Sequence, residues 1–178
     1  MRLFVALPLP DDARERLSAL CSGLSGARWV ANENLHVTLQ FIGEVGRSDA
    51  ADIDDALSRI RAPAFPLALS GVGMFGSGRR VRALWAGIES QPRLVHLHDK
   101  VESAIVRAGL EPERRKFKAH VTLARFRDGA RARIGTWMEH NDGFSAGPYP
   151  ADRFTLFESR LGSEGPHYEP LAEYPLDG

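Results

Sequence analysis

A single cysteine, Cys21, excludes an internal disulfide framework and a cysteine-rich zinc site, and it leads us to expect a reducing, cytoplasmic setting. Long apolar runs are also missing. Nothing approaches the ~18 apolar residues of a membrane-spanning helix, so no membrane partner is expected. The run Leu3–Leu7, closed by Pro8 and Pro10, is too short for the apolar region of a secretory signal. Net charge is absent too, with 23 Lys and Arg against 23 Asp and Glu. That balance argues against a broad, sequence-blind grip on long nucleic acid. What remains is ordinary: 178 residues, 43% hydrophobic and 26% charged, which is enough apolar chain for the core of one globular domain spanning 1–178.

Histidine and threonine are scarce, with six and four copies, yet two of the four Thr stand two residues after a His. The tetrapeptide His-Val-Thr-Leu occurs at His36–Leu39 and again at His120–Leu123. Its flanks repeat as well. Leu3–Leu7 reads as a short buried strand, followed by a helix over 11–24 with Ala13, Leu17, Leu20 and Leu24 at helical spacing. In the second half Ala83–Ile88 takes the strand role, and a helix over 93–108 presents Leu94, Leu97, Val101 and Ile105 on one face. Each motif leads to another helical stretch, 49–61 and 130–140, and then to a strand, 65–70 and 154–159. The expected fold is α+β. Two pseudo-symmetric lobes, each an antiparallel sheet with helices outside, would flank a central cleft to which each lobe lends one motif strand.

On a strand, residues two apart share a face. His36, Thr38 and Gln40 are therefore expected to face the cleft, with Val37, Leu39 and Phe41 toward the core. In the second motif His120 and Thr122 face the cleft, while Arg125 falls on the apolar side, so either the strand ends or bulges there or Arg125 makes a buried pair. Two His and two Thr in one cleft suit metal-free phosphoryl transfer. One imidazole takes a proton from the nucleophile, the other gives one to the leaving oxygen, and the Thr hydroxyls donate to non-bridging oxygens. The near-symmetry of the halves leaves open which His plays which part.

Other features carry less. Gly71–Gly76 fits G-x-G-x-x-G but opens no helix, so no dinucleotide cofactor is expected there. His96 and His98, beside Asp99, are two apart on a helix and do not face each other, so no metal is expected. His140 and His167 read as surface residues, and Trp29, Trp85 and Trp137 as core or rim aromatics. Charge is uneven along the chain: residues 111–133 hold eight basic side chains against three acidic ones, and the remainder carries the compensating excess of acids. Arg115, Lys116, Lys118 and Arg125 of this block are candidate substrate-binding residues, since they bracket His120.

These residues resemble the two-histidine phosphoesterases, and among them the RNA 2′,3′-cyclic phosphodiesterases also called 2′-5′ RNA ligases. The resemblance covers nearly the whole chain: Arg2–Leu7, Arg28–Val30 through Glu33–Val45, Leu69–Phe75, Arg115–Phe117 through His120–Arg125, and Phe157–Leu161. One departure is Ala119, where such proteins often carry Pro before the second motif His. The resemblance implies hydrolysis of a 2′,3′-cyclic phosphate to a 2′-phosphate without cofactor, His36 serving as proton donor to the 3′ oxygen and His120 as base. It implies RNA ends, tRNA fragments or small cyclic nucleotides as partners, with ATP-independent 2′-5′ joining as the reverse reaction. A monomer is the default expectation. Rival readings are a phosphodiesterase acting on another cyclic or 2′-5′ linked nucleotide, or a non-catalytic nucleotide or RNA-binding module.

Overall fold

The computed structural model describes residues 1–76, 80–127 and 133–177. The proposed helix start at Ala130, and the charges of Asp128 and Arg131, fall outside them. In chain order the elements are β1 (Arg2–Pro8), α1 (Asp11–Ser18), β2 (Ala27–Trp29), a short 3₁₀ turn (Asn32–Asn34), β3 (His36–Glu44), α2 (Arg47–Ser58), β4 (Phe65–Phe75), β5 (Ala83–Ile88), α3 (Pro92–Arg107), β6 (His120–Phe126), α4 (Ile134–Asn141), β7 (Ser145–Ala151), β8 (Arg153–Gly162) and β9 (Gly165–Pro175).

Local chemistry accounts for the helix limits. Gln91 accepts a hydrogen bond from the Arg93 amide and Pro92 occupies the first turn of α3, whose Leu94, Leu97, Val101, Ala104 and Ile105 are buried. The first helix stops at Ser18, earlier than its apolar spacing suggests. Leu20 and Cys21 donate to the carbonyls of Leu17 and Ser18, three residues back, and the Trp137 indole donates to the Leu20 carbonyl at 3.0 Å. The final turn therefore tightens instead of propagating.

Eight strands form one antiparallel sheet in the order β7-β4-β5-β6-β3-β1-β8-β9, and β2 pairs with β6. The two lobes meet where β3 touches β6 through a single pair, Val37 opposite Val121. Beyond it the motif strands diverge, and β2 occupies the place beside β6 that β3 vacates. The lobes are not the sequence halves. β4, from the first half, pairs with β5 of the second, while β8 returns to pair with β1. Consecutive strands tend to lie side by side, so the β4–β5 connection draws β4 into the lobe of His120. The helices exchange in the same sense, α1 lying on β7 and α3 on β3. Both motif strands thus stand at the centre of the sheet.

Candidate functional site

The motif strands share one irregularity. Val5 of β1 pairs with Gln40 and Ala6 with Thr38, leaving Leu39 as an extra residue; on β5, Leu84 pairs with Ala124 and Trp85 with Thr122, leaving Leu123 over. Each strand therefore bulges three residues after its histidine, and a bulge shifts all later side chains to the opposite face. Leu39 and Gln40 are both buried, as are Leu123 and Ala124, and the next residues, Phe41 and Arg125, emerge exposed. Two expectations from plain alternation are thereby corrected. Gln40 is buried rather than facing the cleft, and Phe41 is 61% exposed rather than in the core. Arg125, out of phase in simple alternation, joins the face of His120 and Thr122.

Both imidazoles are held alike. His36 Nδ1 lies 2.6 Å from the Asn34 carbonyl, and His120 Nδ1 lies 2.6 Å from the Lys118 carbonyl. A carbonyl only accepts, so Nδ1 carries the hydrogen in each ring and the neutral Nε2 presents a lone pair. His36 Nε2 accepts from the Thr38 hydroxyl at 2.9 Å. Asn34 is itself fastened, its side-chain amide donating to the Pro166 carbonyl of β9 at 2.9 Å.

The surroundings disfavour charge on both rings. Burial brings the His36 pKa from 6.5 to about 4, with the positive charges of Arg125 and His120 adding to the effect against the opposing Asn34 carbonyl. Burial likewise lowers His120, helped by Arg125 and Lys118 and opposed by the Lys118 carbonyl. Arg125 thus acts on both histidines.

Aromatic rings wall the two sides. Phe4 lies 5.1 Å from His36 and 6.3 Å from Phe41, and it stacks on Phe157 at 5.2 Å. Tyr168 stands edge-on to His36 at 5.4 Å. Across the cleft Phe75 stands edge-on to His120 at 4.8 Å, Trp85 lies beside both, and the Lys118 ammonium sits 4.4 Å above the Trp85 ring.

The structure therefore brings together His36, Thr38, His120, Thr122, Arg125 and Lys118. Arg115 and Lys116 stand exposed on the segment that leads into β6, and neither is hydrogen-bonded to an imidazole among the described residues. Of the lesser histidines, His140 and His167 are exposed. His98 is buried and stacks on Phe117 at 4.0 Å, while His96 faces solvent. Phe41 is the residue that alternation misplaces. Its signal lay in the repeat itself, because Arg125 breaks phase at the same offset from its histidine.

Comparison with known proteins is consistent with this duplication. A family model described as LigT like Phosphoesterase matches the chain twice, over residues 7–85 and 87–168. A protein of Archaeoglobus fulgidus named RNA 2′,3′-cyclic phosphodiesterase is 33% identical over 174 residues, covering 96% of this chain and 98% of its own. One of Escherichia coli K12 with the same name is 33% identical over 179 residues, covering 98% and 96%. Among solved structures, E. coli LigT complexed with 3′-AMP superposes with a TM-score of 0.80 at 32% identity, covering 98% of this chain and 97% of that one.

Proposed function

The chain belongs to the LigT-like phosphoesterases, and from that premise we propose that it is an RNA 2′,3′-cyclic phosphodiesterase that opens the cyclic phosphate to a 2′-phosphate. The observation that carries the reading is the pair of imidazoles, each with Nδ1 tied to a backbone carbonyl so that Nε2 is the nitrogen left to exchange a proton, under the charge of one shared arginine.

The residue after each bulge supports one ordering of the roles. Phe41, on the strand of His36, offers an exposed ring face to the nucleobase. Arg125, on the strand of His120, offers a fork of donors to the phosphate. A nucleoside seated on Phe41 and held by its phosphate at Arg125 turns its 3′ oxygen toward His36 and leaves the opposite side of phosphorus to His120. His120 takes a proton from water as the water oxygen bonds to phosphorus, and His36, protonated, gives a proton to O3′ as the P–O3′ bond breaks. Thr38, Thr122 and Lys118 donate to the phosphate oxygens where charge gathers. The anionic substrate raises the pKa of both imidazoles, so His36 gains its proton as substrate enters. With an RNA 5′-hydroxyl in place of water, the same geometry makes a 2′-5′ bond.

Purified protein, in the presence of chelator, should convert 2′,3′-cyclic AMP or an RNA ending in a cyclic phosphate to the 2′-phosphate, identified by phosphorus NMR. His36→Ala and His120→Ala should each lose ~10²–10⁴-fold in kcat. Release of the 3′-phosphate, or full activity in either variant, would refute the assignment.

A further inference from the structure

Like charges directly opposite on neighbouring strands work against a sheet, and the site holds such a pair. Arg28 of β2 stands opposite Arg125 of β6. Residues paired in this way share a face, with Cβ atoms about 4.5–5.5 Å apart. The neighbouring residues confirm which face it is: Trp29, next to Arg28, pairs with the buried Ala124 and packs on Trp137 of α4 at 6.1 Å, so Arg28 turns to the cleft. Both arginines are exposed, and neither has a carboxylate within ion-pair distance among the described residues. On its other side Arg125 faces only Ala83 of β5. Two arginines are thus paired across neighbouring strands with no acid among the described residues to balance them, an arrangement that an anionic ligand satisfies.

Each guanidinium has a fork of donors able to take a phosphate of its own. Under the function proposed above, on which this inference rests, Arg125 holds the cyclic phosphate undergoing reaction. At the 3′ end of an RNA, the terminal ribose carries one other phosphate, on its 5′ oxygen; a 2′,3′-cyclic nucleoside monophosphate lacks it. We propose that Arg28 binds this second phosphate, so that the cleft recognises a terminal nucleotide phosphorylated at both ends of its ribose, the form presented by an RNA chain. The β2 strand, three residues long, then has a role beyond filling the gap beside β6: it carries a cation to the place where the polynucleotide leaves the cleft.

The test compares three substrates with wild-type enzyme, Arg28→Gln and Arg28→Lys: a cyclic mononucleotide, the same nucleotide bearing a 5′-monophosphate, and a dinucleotide ending in the cyclic phosphate. The wild type should favour the dinucleotide over the mononucleotide in kcat/KM by about 10- to 100-fold, the range of a charge-assisted hydrogen bond. Arg28→Gln should remove that preference while turning over the mononucleotide like wild type, and Arg28→Lys should restore part of it. The salt dependence of log KM for the dinucleotide should lose about 0.7 of slope in Arg28→Gln, one phosphate contact on a single strand. A gain for the 5′-monophosphate without one for the dinucleotide would keep the phosphate site but assign it to a free nucleotide. Equal losses on all three substrates, or no loss on any, would overturn the proposal. If wild-type enzyme turns over none of them, the phosphodiesterase reading itself fails, which is a separate result.

Discussion

Truncation of Phe41 separates a ligand-binding ring from a structural one. Because the ring is 61% exposed, only about two-fifths of its surface is covered by protein. Full burial of a Phe side chain is worth about 1.5–3 kcal/mol, so Phe41→Ala should cost roughly 1 kcal/mol of stability or less. Phe154, at 0% exposure, marks the contrast, since its truncation should cost about 3–5 kcal/mol. Stacking of a base on an aromatic ring contributes about 1–3 kcal/mol, which is about 5- to 150-fold in kcat/KM. Activity should therefore suffer more than folding does. The assay measures kcat/KM for 2′,3′-cyclic purine and pyrimidine nucleotides alongside urea unfolding of the same preparations. Phe41→Ala should weaken turnover of purine nucleotides, with their larger ring face, more than that of pyrimidine nucleotides, and Phe41→Trp should preserve both. A variant that unfolds several kcal/mol more easily while keeping wild-type turnover would refute the bulge-shifted placement of this ring and return it to the core.

Two further outcomes concern the rings around the histidines. In the unfolded chain an imidazole protonates near pH 6.5, whereas His36 in the fold does so near 4; between these values the unfolded chain binds more protons, so stability falls as pH drops from 6.5 to 4 and is constant in this respect below. The loss is at most about 3 kcal/mol and smaller for a half-buried group, and His36→Gln should abolish that share of it; parallel pH dependences of the two proteins in urea titrations would contradict the burial argument. At Gly73 an added Cβ would come within 2.2 Å of the Trp85 ring. Gly73→Ala should therefore displace the indole and the Lys118 ammonium above it, with about 1–3 kcal/mol of destabilisation, altered tryptophan fluorescence and reduced turnover; wild-type values of all three would show that the ring is not seated on this glycine.

The duplicated motif made much of this legible from residues alone. His36, Thr38, His120 and Thr122 follow from four letters repeated in a chain poor in both His and Thr, and the buried runs Leu3–Leu7 and Ala83–Ile88 announce their strands. What stayed hidden depends on partners distant in sequence. The bulges at Leu39 and Leu123 exist in pairing with β1 and β5, so no period in β3 or β6 alone announces them, and plain alternation sends Phe41 to the wrong face. β2 and β9 were also silent, the first too short for a period to show and the second broken by prolines. The exchange of β4 and β8 between lobes is a property of connections, which residue pattern does not encode.

The sheet is open, and its two outermost strands, β7 and β9, carry Pro148 and Pro150 on one side and Pro166, Pro170 and Pro175 on the other. A proline has no amide hydrogen to offer, so neither border presents an unbroken row of donors to a passing strand. An eleven-residue edge such as β9 would otherwise be a template for growth of the sheet from one molecule into the next. Placed there, these prolines keep a long, strongly paired sheet from becoming the nucleus of an aggregate, and they leave the central strands free to carry chemistry.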